Sequence, residues 1–191
     1  MKKHKILYTL VLLIIAGILI VSCIILMPKK LTGEQWFVEQ SKYMSSMQSI
    51  STSLDNIVSL YLNSNINEND YIDNMRVIKQ EMDILNKSYS EDEEKTPVKV
   101  GTHTYDSKSG VEAVQNMMKQ LTLLIDNCLD PAVYQDKDNL SYSYIAYTMS
   151  ISAHANAYQT AYKNILIKYK DSPGNGIGVR EKITSEEDIN E

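Results

Sequence analysis

An uncharged apolar run near the N-terminus constrains this chain more than any other feature. Residues 6–27 carry no charged side chain, and Pro28 ends the run. At a helical rise of about 1.5 Å per residue the run spans roughly 33 Å, enough to cross a hydrocarbon core of about 30 Å. We therefore predict a single transmembrane helix over residues 6–27.

Lysines on either side of this run indicate its direction. Residues 1–5 hold three lysines, whereas Lys29 and Lys30 are soon followed by Glu34 and Glu39. Positive charge favours the cytoplasmic side of a span. We expect residues 1–5 to be cytoplasmic and the remainder to be extracytoplasmic, as in a single-pass protein of the cell membrane.

Two other fates of the apolar run stay open. Cleavage as a secretory signal would need a shorter apolar stretch and a small-x-small site, and the run offers neither. Lipidation at Cys23 is the alternative anchor, since Ser22 and Cys23 resemble a degenerate lipobox. The apolar residues 24–27 that follow the cysteine favour a membrane span instead, and in both anchored forms the domain stays on the outer face.

Charge is distributed unevenly along the chain. After the first thirty residues, 14 basic side chains face 24 acidic ones. So acidic a domain repels phosphate backbones, which argues against nucleic acid as a partner. For the same reason we expect lipid contact only through residues 6–27. Cys23 and Cys128 would lie in different environments, so we predict no disulfide.

Helical spacing begins just after the predicted anchor. Thr32 and Gln35 form a capping box, which predicts a helix over about 33–63. With Gln40 as its one polar member, a stripe of residues recurs every three or four positions, typical of a surface that faces a neighbouring helix. Its large members are Trp36, Tyr43, Met47, Ile50, Leu54, Ile57 and Tyr61. Serines flank the stripe in place of paired charges, which favours packing within one chain over a coiled-coil dimer.

Three further helices follow from the same spacing. We predict them over about 68–89, 110–129 and 140–170, with residues 90–107 as a loop. The inward stripe of the 68–89 helix is Tyr71, Met75, Ile78, Met82, Leu85 and Tyr89, and that of the 140–170 helix includes Tyr144, Tyr147, Ile151 and His154. Ser109 and Glu112 would form the capping box that opens the 110–129 helix. The chain is thus predicted to be all-α: one N-terminal transmembrane helix, an antiparallel four-helix bundle within residues 28–172 and a flexible acidic tail over 173–191.

Residues suited to chemistry are few. His154 falls on the inner stripe of the last helix near Tyr147 and Tyr158, so these three are the ligand-binding candidates, although a polar residue within a tyrosine-rich core explains them as well. His103 and Asp106 share a loop and lack further ligands. We predict no catalytic residues, no metal site and no cofactor, and therefore no enzyme.

Tyrosines on the last helix cover more than one of its faces, so some of them should be exposed. The rings occur as follows: Tyr142, Tyr144, Tyr147, Tyr158, Tyr162 and Tyr169. Exposed tyrosines are common at protein interfaces. The sequence therefore favours an interaction or accessory module that binds another envelope protein.

The alternative function is a ligand-sensing bundle. Sensor bundles of receptors precede a second span and an output region, so a sensing role here would need a separate signalling partner. A pocket with polar groups around His154 would favour sensing, whereas a flat exposed patch of Tyr and Met would favour the interaction module.

Overall fold

The computed structural model describes residues 30–96 and 98–170, except for the side chains of 168–170. This part of the chain is an all-α helical bundle, which confirms the predicted fold class at that level. Its helices are α1 (Gly33–Glu39), α2 (Ser41–Leu62), α3 (Glu68–Lys95), α4 (Tyr105–Cys128), α5 (Pro131–Tyr134) and α6 (Lys137–Lys170).

No helix within the described ranges has both the length and the apolar character that crossing a bilayer requires. The predicted span over 6–27, with Cys23 inside it, lies outside the described residues, as do residues 1–5 and the tail over 173–191.

The first predicted helix is divided in two at Gln40. Thr32 caps α1 through the capping box with Gln35. At the division, the Gln40 amide donates to the Phe37 carbonyl at 3.0 Å, and the Tyr43 amide donates to the Gln40 carbonyl at 3.0 Å. Both bonds span three residues instead of the four of an α-helix, and they interrupt its hydrogen-bond pattern. The prediction of one unbroken helix over 33–63 was therefore wrong.

The predicted end of the second helix at residue 89 was also wrong. Residues 90–95 were expected in a charged loop, yet α3 continues through them to Lys95. Lys95 forms an ion pair with Glu91 at 2.8 Å, one helical turn back. Such i,i+4 pairs support an exposed helix, so a run of charged residues does not by itself mark a loop.

The start of the third helix lies one turn and a half earlier than predicted. Thr104 accepts from the Ser107 amide and forms the capping box with Ser107. The predicted box at Ser109 and Glu112 is therefore wrong, and Gly110 lies inside α4 rather than at its start.

The four long helices alternate in direction. Tyr43 near the start of α2 contacts Tyr89 near the end of α3, while Tyr61 stacks on Tyr71 at the opposite end. Between α3 and α4, the Tyr71 hydroxyl donates to the Cys128 carbonyl at 2.9 Å. α6 packs mainly against α4 and only weakly against α2.

The core lies along the stripes that these helices turn inward. All six stripe residues predicted for the second helix are buried in α3: Tyr71, Met75, Ile78, Met82, Leu85 and Tyr89. In α2 the stripe shifts near its end, where Val58 is buried and Ile57 is only half-buried. Tyr61, one turn further on, is buried again, so the departure is confined to Ile57 and Val58.

Candidate functional site

The outer side of α6 exposes apolar side chains along four helical turns. Tyr142 is 76% exposed, Ile145 55% and Met149 70%. Their spacing of three and four places them on one side of the helix. We define the α6 face as the exposed residues Tyr142, Ile145, Ala146, Met149, Ser152, Ala153, Asn156 and Ala157.

This face is also free of charge. No Asp, Glu, Lys or Arg occurs from residue 139 to residue 162, although charged residues make up 23% of the chain. A helix surface that is only solvated normally carries charged side chains. The uncharged stretch on α6 is therefore unusual for a surface that contacts water alone.

The inner side of α6 holds the helix in place while leaving its first half partly open. Leu140, Ala161 and Ile165 are buried, whereas Tyr144 is only partly buried against the core. The Tyr144 hydroxyl donates to the Asp55 carboxylate at 3.2 Å. Burial raises the pKa of the Tyr144 hydroxyl, and the negative charge of Asp55 raises it further. The phenol therefore stays protonated and bridges α6 to α2.

The predicted ligand-binding residues do not form a joint site. Tyr158 is buried, 5.3 Å from the Phe37 ring and stacked on Tyr162 at 5.8 Å between centroids. His154 and Tyr147 are half-buried. Among the described residues, no hydrogen bond joins His154 to either tyrosine. Tyr158 thus packs within the core, and burial raises the pKa of its hydroxyl.

Two grooves on the bundle lie away from His154. One of about 670 Å³ runs between α2 and α3 and is lined by Lys42, Tyr43, Asp92 and others. A second of about 440 Å³ lies between α3 and α4 and includes Tyr89 and Gln115. Both are open to solvent along their length. Neither is the pocket around His154 that a sensing role would favour.

The sequence matches no protein-family model, and no curated protein and no solved structure is significantly similar to the chain. The function must therefore be argued from the surface of the bundle itself.

The other residues with side chains suited to chemistry are His103 and Cys128. His103 lies against Gly33, where an added Cβ would come 2.6 Å from the imidazole Nδ1. Cys128 is buried, and burial raises the pKa of its thiol to about 12, which leaves it protonated at physiological pH. In the ranges that the structure describes, no group of three or more potential metal ligands gathers.

The sequence predicted that some tyrosines of the last helix are exposed, of which Tyr142 is one, but the exposed Ile145 and Met149 were missed. The signal was present in the absence of charge between residues 139 and 162. Periodicity alone did not reveal it, because α6 has apolar or small residues on most of its sides and its pattern does not single out one face.

Proposed function

We propose that this protein is a membrane-anchored, extracytoplasmic interaction module of the cell envelope. Residues 6–27 anchor it as a single span with the N-terminus in the cytoplasm, and the α6 face binds a partner protein. The observation that carries the proposal is the uncharged apolar surface around Tyr142, Ile145 and Met149. Contiguous apolar patches of this kind mark interaction sites on soluble domains.

The chemistry of the α6 face defines the partner. From Tyr142 to Ala157 the face is roughly 22 Å long, which is the length of four helical turns. Ala146, Ala153 and Ala157 leave room for another backbone to approach closely. Since the face carries no charge, an ion pair cannot orient the partner. We therefore infer an envelope protein that presents a helix with an uncharged, apolar side.

Tyr142 and Met149 are the expected energetic centre of this contact. Aromatic side chains and methionine are enriched in interface cores, where a few residues account for most of the binding free energy. Introducing a charge there would bury it unpaired on binding. We expect Met149→Glu to weaken binding by more than about 1.4 kcal/mol, or roughly tenfold in Kd.

Site-specific photocrosslinking in the native membrane tests the proposal. A photoreactive amino acid replaces Met149 in the full chain, and the same amino acid at Ile84 on α3 is the matched control, since Ile84 is 66% exposed. We expect a heterologous envelope protein to be crosslinked from position 149 and not from position 84. That protein, once purified, should bind the full chain and lose affinity with Met149→Glu but not with Ile84→Glu.

Three results would contradict the proposal. Adducts with lipid or with a second copy alone would exclude a heterologous partner. Equal crosslinking from positions 84 and 149 would mean that the α6 face has no special role. Release of the full chain from membranes by alkaline carbonate would refute the anchor.

A further inference from the structure

Most of the methionines that the structure describes are hidden from solvent. The sequence contains nine methionines, of which Met1 and Met27 lie outside the described residues. Five of the other seven are buried in the core, each at most 5% exposed: Met47, Met75, Met82, Met117 and Met118. Met44 on α2 is half-buried. Met149 is 70% exposed, so among the described methionines it is the one that solvent reaches freely.

The surroundings of Met149 give this exposure a chemical meaning. Ile145 lies one helical turn before it and Ala153 one turn after it, on the same side of α6. Together with Tyr142 and Ile145, Met149 supplies the large apolar side chains of the α6 face. Since this face carries no charged residue, its polarity depends strongly on the few large side chains that it has. A polar group on the Met149 sulfur would therefore change the character of the whole face.

We propose that Met149 is an oxidation site through which peroxides control binding at the α6 face, an inference that rests on the proposed function. Hydrogen peroxide transfers one oxygen atom to the thioether: the O–O bond breaks, an S–O bond forms and water leaves. The sulfur is oxidised by two electrons, and the peroxide is reduced by the same two. The product, methionine sulfoxide, is polar where the thioether was apolar.

Oxidation weakens the contact because it would bury an unpaired polar group. The sulfoxide oxygen accepts hydrogen bonds from water while the α6 face is free. A partner helix with an uncharged, apolar side would cover this oxygen and offer it no donor, so the lost hydration is not replaced. We expect the dissociation constant to rise roughly tenfold. The unoxidised chain thus binds its partner, and the oxidised chain releases it.

The modification is reversible and leaves the bundle folded. Because most of the Met149 surface is exposed, its sulfoxide should leave the urea midpoint of unfolding nearly unchanged. Oxidation of a core methionine such as Met75 or Met82 would instead place a polar oxygen in an apolar interior. Reduction by two thiols, as in methionine sulfoxide reductases, restores the thioether. The two thiols form a disulfide, and the oxygen leaves as water.

Peptide mass spectrometry of the reconstituted full chain tests the site. The chain in phosphatidylcholine vesicles is treated with hydrogen peroxide, and the oxidation of each methionine is followed over time. Since susceptibility follows exposure, Met149 should oxidise on the order of tenfold faster than Met47 or Met118, with Met44 between them. In urea, where the bundle is unfolded, these rates should converge. Equal rates for Met149 and the core methionines in the folded protein would refute the site.

Photocrosslinking before and after peroxide treatment tests the effect on binding. A photoreactive amino acid replaces Ile145, which leaves Met149 intact, and each chain in native membranes is compared with itself before treatment. We expect peroxide to lower the yield of the heterologous adduct several-fold and a methionine sulfoxide reductase to restore it. With Met149→Leu, whose side chain cannot form a sulfoxide, peroxide should not lower the yield below its own starting value. This comparison excludes oxidation of the partner as the cause.

The outcomes separate failure of this inference from failure of the proposed function. If the adduct survives peroxide although mass spectrometry shows that Met149 is oxidised, the redox control is refuted and the interaction module stands. An equal loss of adduct with Met149→Leu would also refute the control, since another residue would then be responsible. If position 145 yields no heterologous adduct before treatment, the proposed function is refuted and the control with it.

Discussion

Replacing Gly110 by alanine should destabilise the bundle, although alanine is the better helix former. An alanine Cβ at this position would lie 2.1 Å from Cε2 of Phe37 and 2.6 Å from both Cδ2 and Cζ. The ring cannot easily move away, because it is fully buried between Tyr158 at 5.3 Å and Tyr162 at 6.1 Å. The glycine in α4 thus makes room for the aromatic residue that α1 inserts.

Two opposing terms set the size of the effect. Removing a glycine from a helix interior gains about 1 kcal/mol in helix propensity. Overpacking a closed core costs typically about 1–3 kcal/mol, and a contact this short lies at the upper end. We expect Gly110→Ala to lower the free energy of unfolding by roughly 1–2 kcal/mol.

A double-mutant cycle isolates the steric cause. Urea unfolding of the detergent-solubilised full chain is followed by the fluorescence of Trp36, the one tryptophan of the chain, which is 5% exposed. With Phe37 replaced by leucine, the clash should shrink and Gly110→Ala should become neutral or stabilising. If alanine destabilises equally in both backgrounds, or stabilises the unmodified protein, the argument from the Phe37 contact is wrong.

Two further predictions concern titrating groups. The hydrogen bond from Lys42, and after it the one from Tyr43, lowers the pKa of Asp92 below its ordinary 3.8. The ionised carboxylate therefore contributes to the free energy of unfolding above pH 3.8, and this contribution is lost as the pH falls through the lower pKa of the folded state. Because the Asp92 side chain is 38% exposed, Asp92→Asn should lower the free energy of unfolding by under about 1 kcal/mol at neutral pH. When the urea midpoint is measured against pH, the variant should lose less stability at acid pH than the unmodified protein. The same acid loss in both would refute the ion pair. Cys128, with its pKa raised to about 12 by burial, should resist thiol reagents at pH 8 in a Cys23→Ser variant and react only on unfolding, whereas rapid labelling of the folded protein would contradict the burial.

Periodicity predicted the buried positions best in α3, where neighbouring helices cover the whole length of one stripe. α3 buries the six residues that its spacing predicts, since α2 and α4 both pack against that stripe. The inner stripe of α6 was less well predicted. Tyr144, Tyr147, Ile151 and His154 are only half-buried, because α2 scarcely covers the first half of α6. Spacing identifies which residues share a side of a helix but not how completely a neighbour covers it.

Helix ends were harder to predict, because local signals compete. Ser109 with Glu112 and Thr104 with Ser107 both offer capping side chains, and the sequence alone does not rank them. In the structure Thr104 and Ser107 form the box, and Gly110 lies inside α4 against Phe37. At the break between α1 and α2, Gln40 is fully buried, and its side-chain amide donates to the Trp36 carbonyl at 3.3 Å. No spacing rule anticipates that bond.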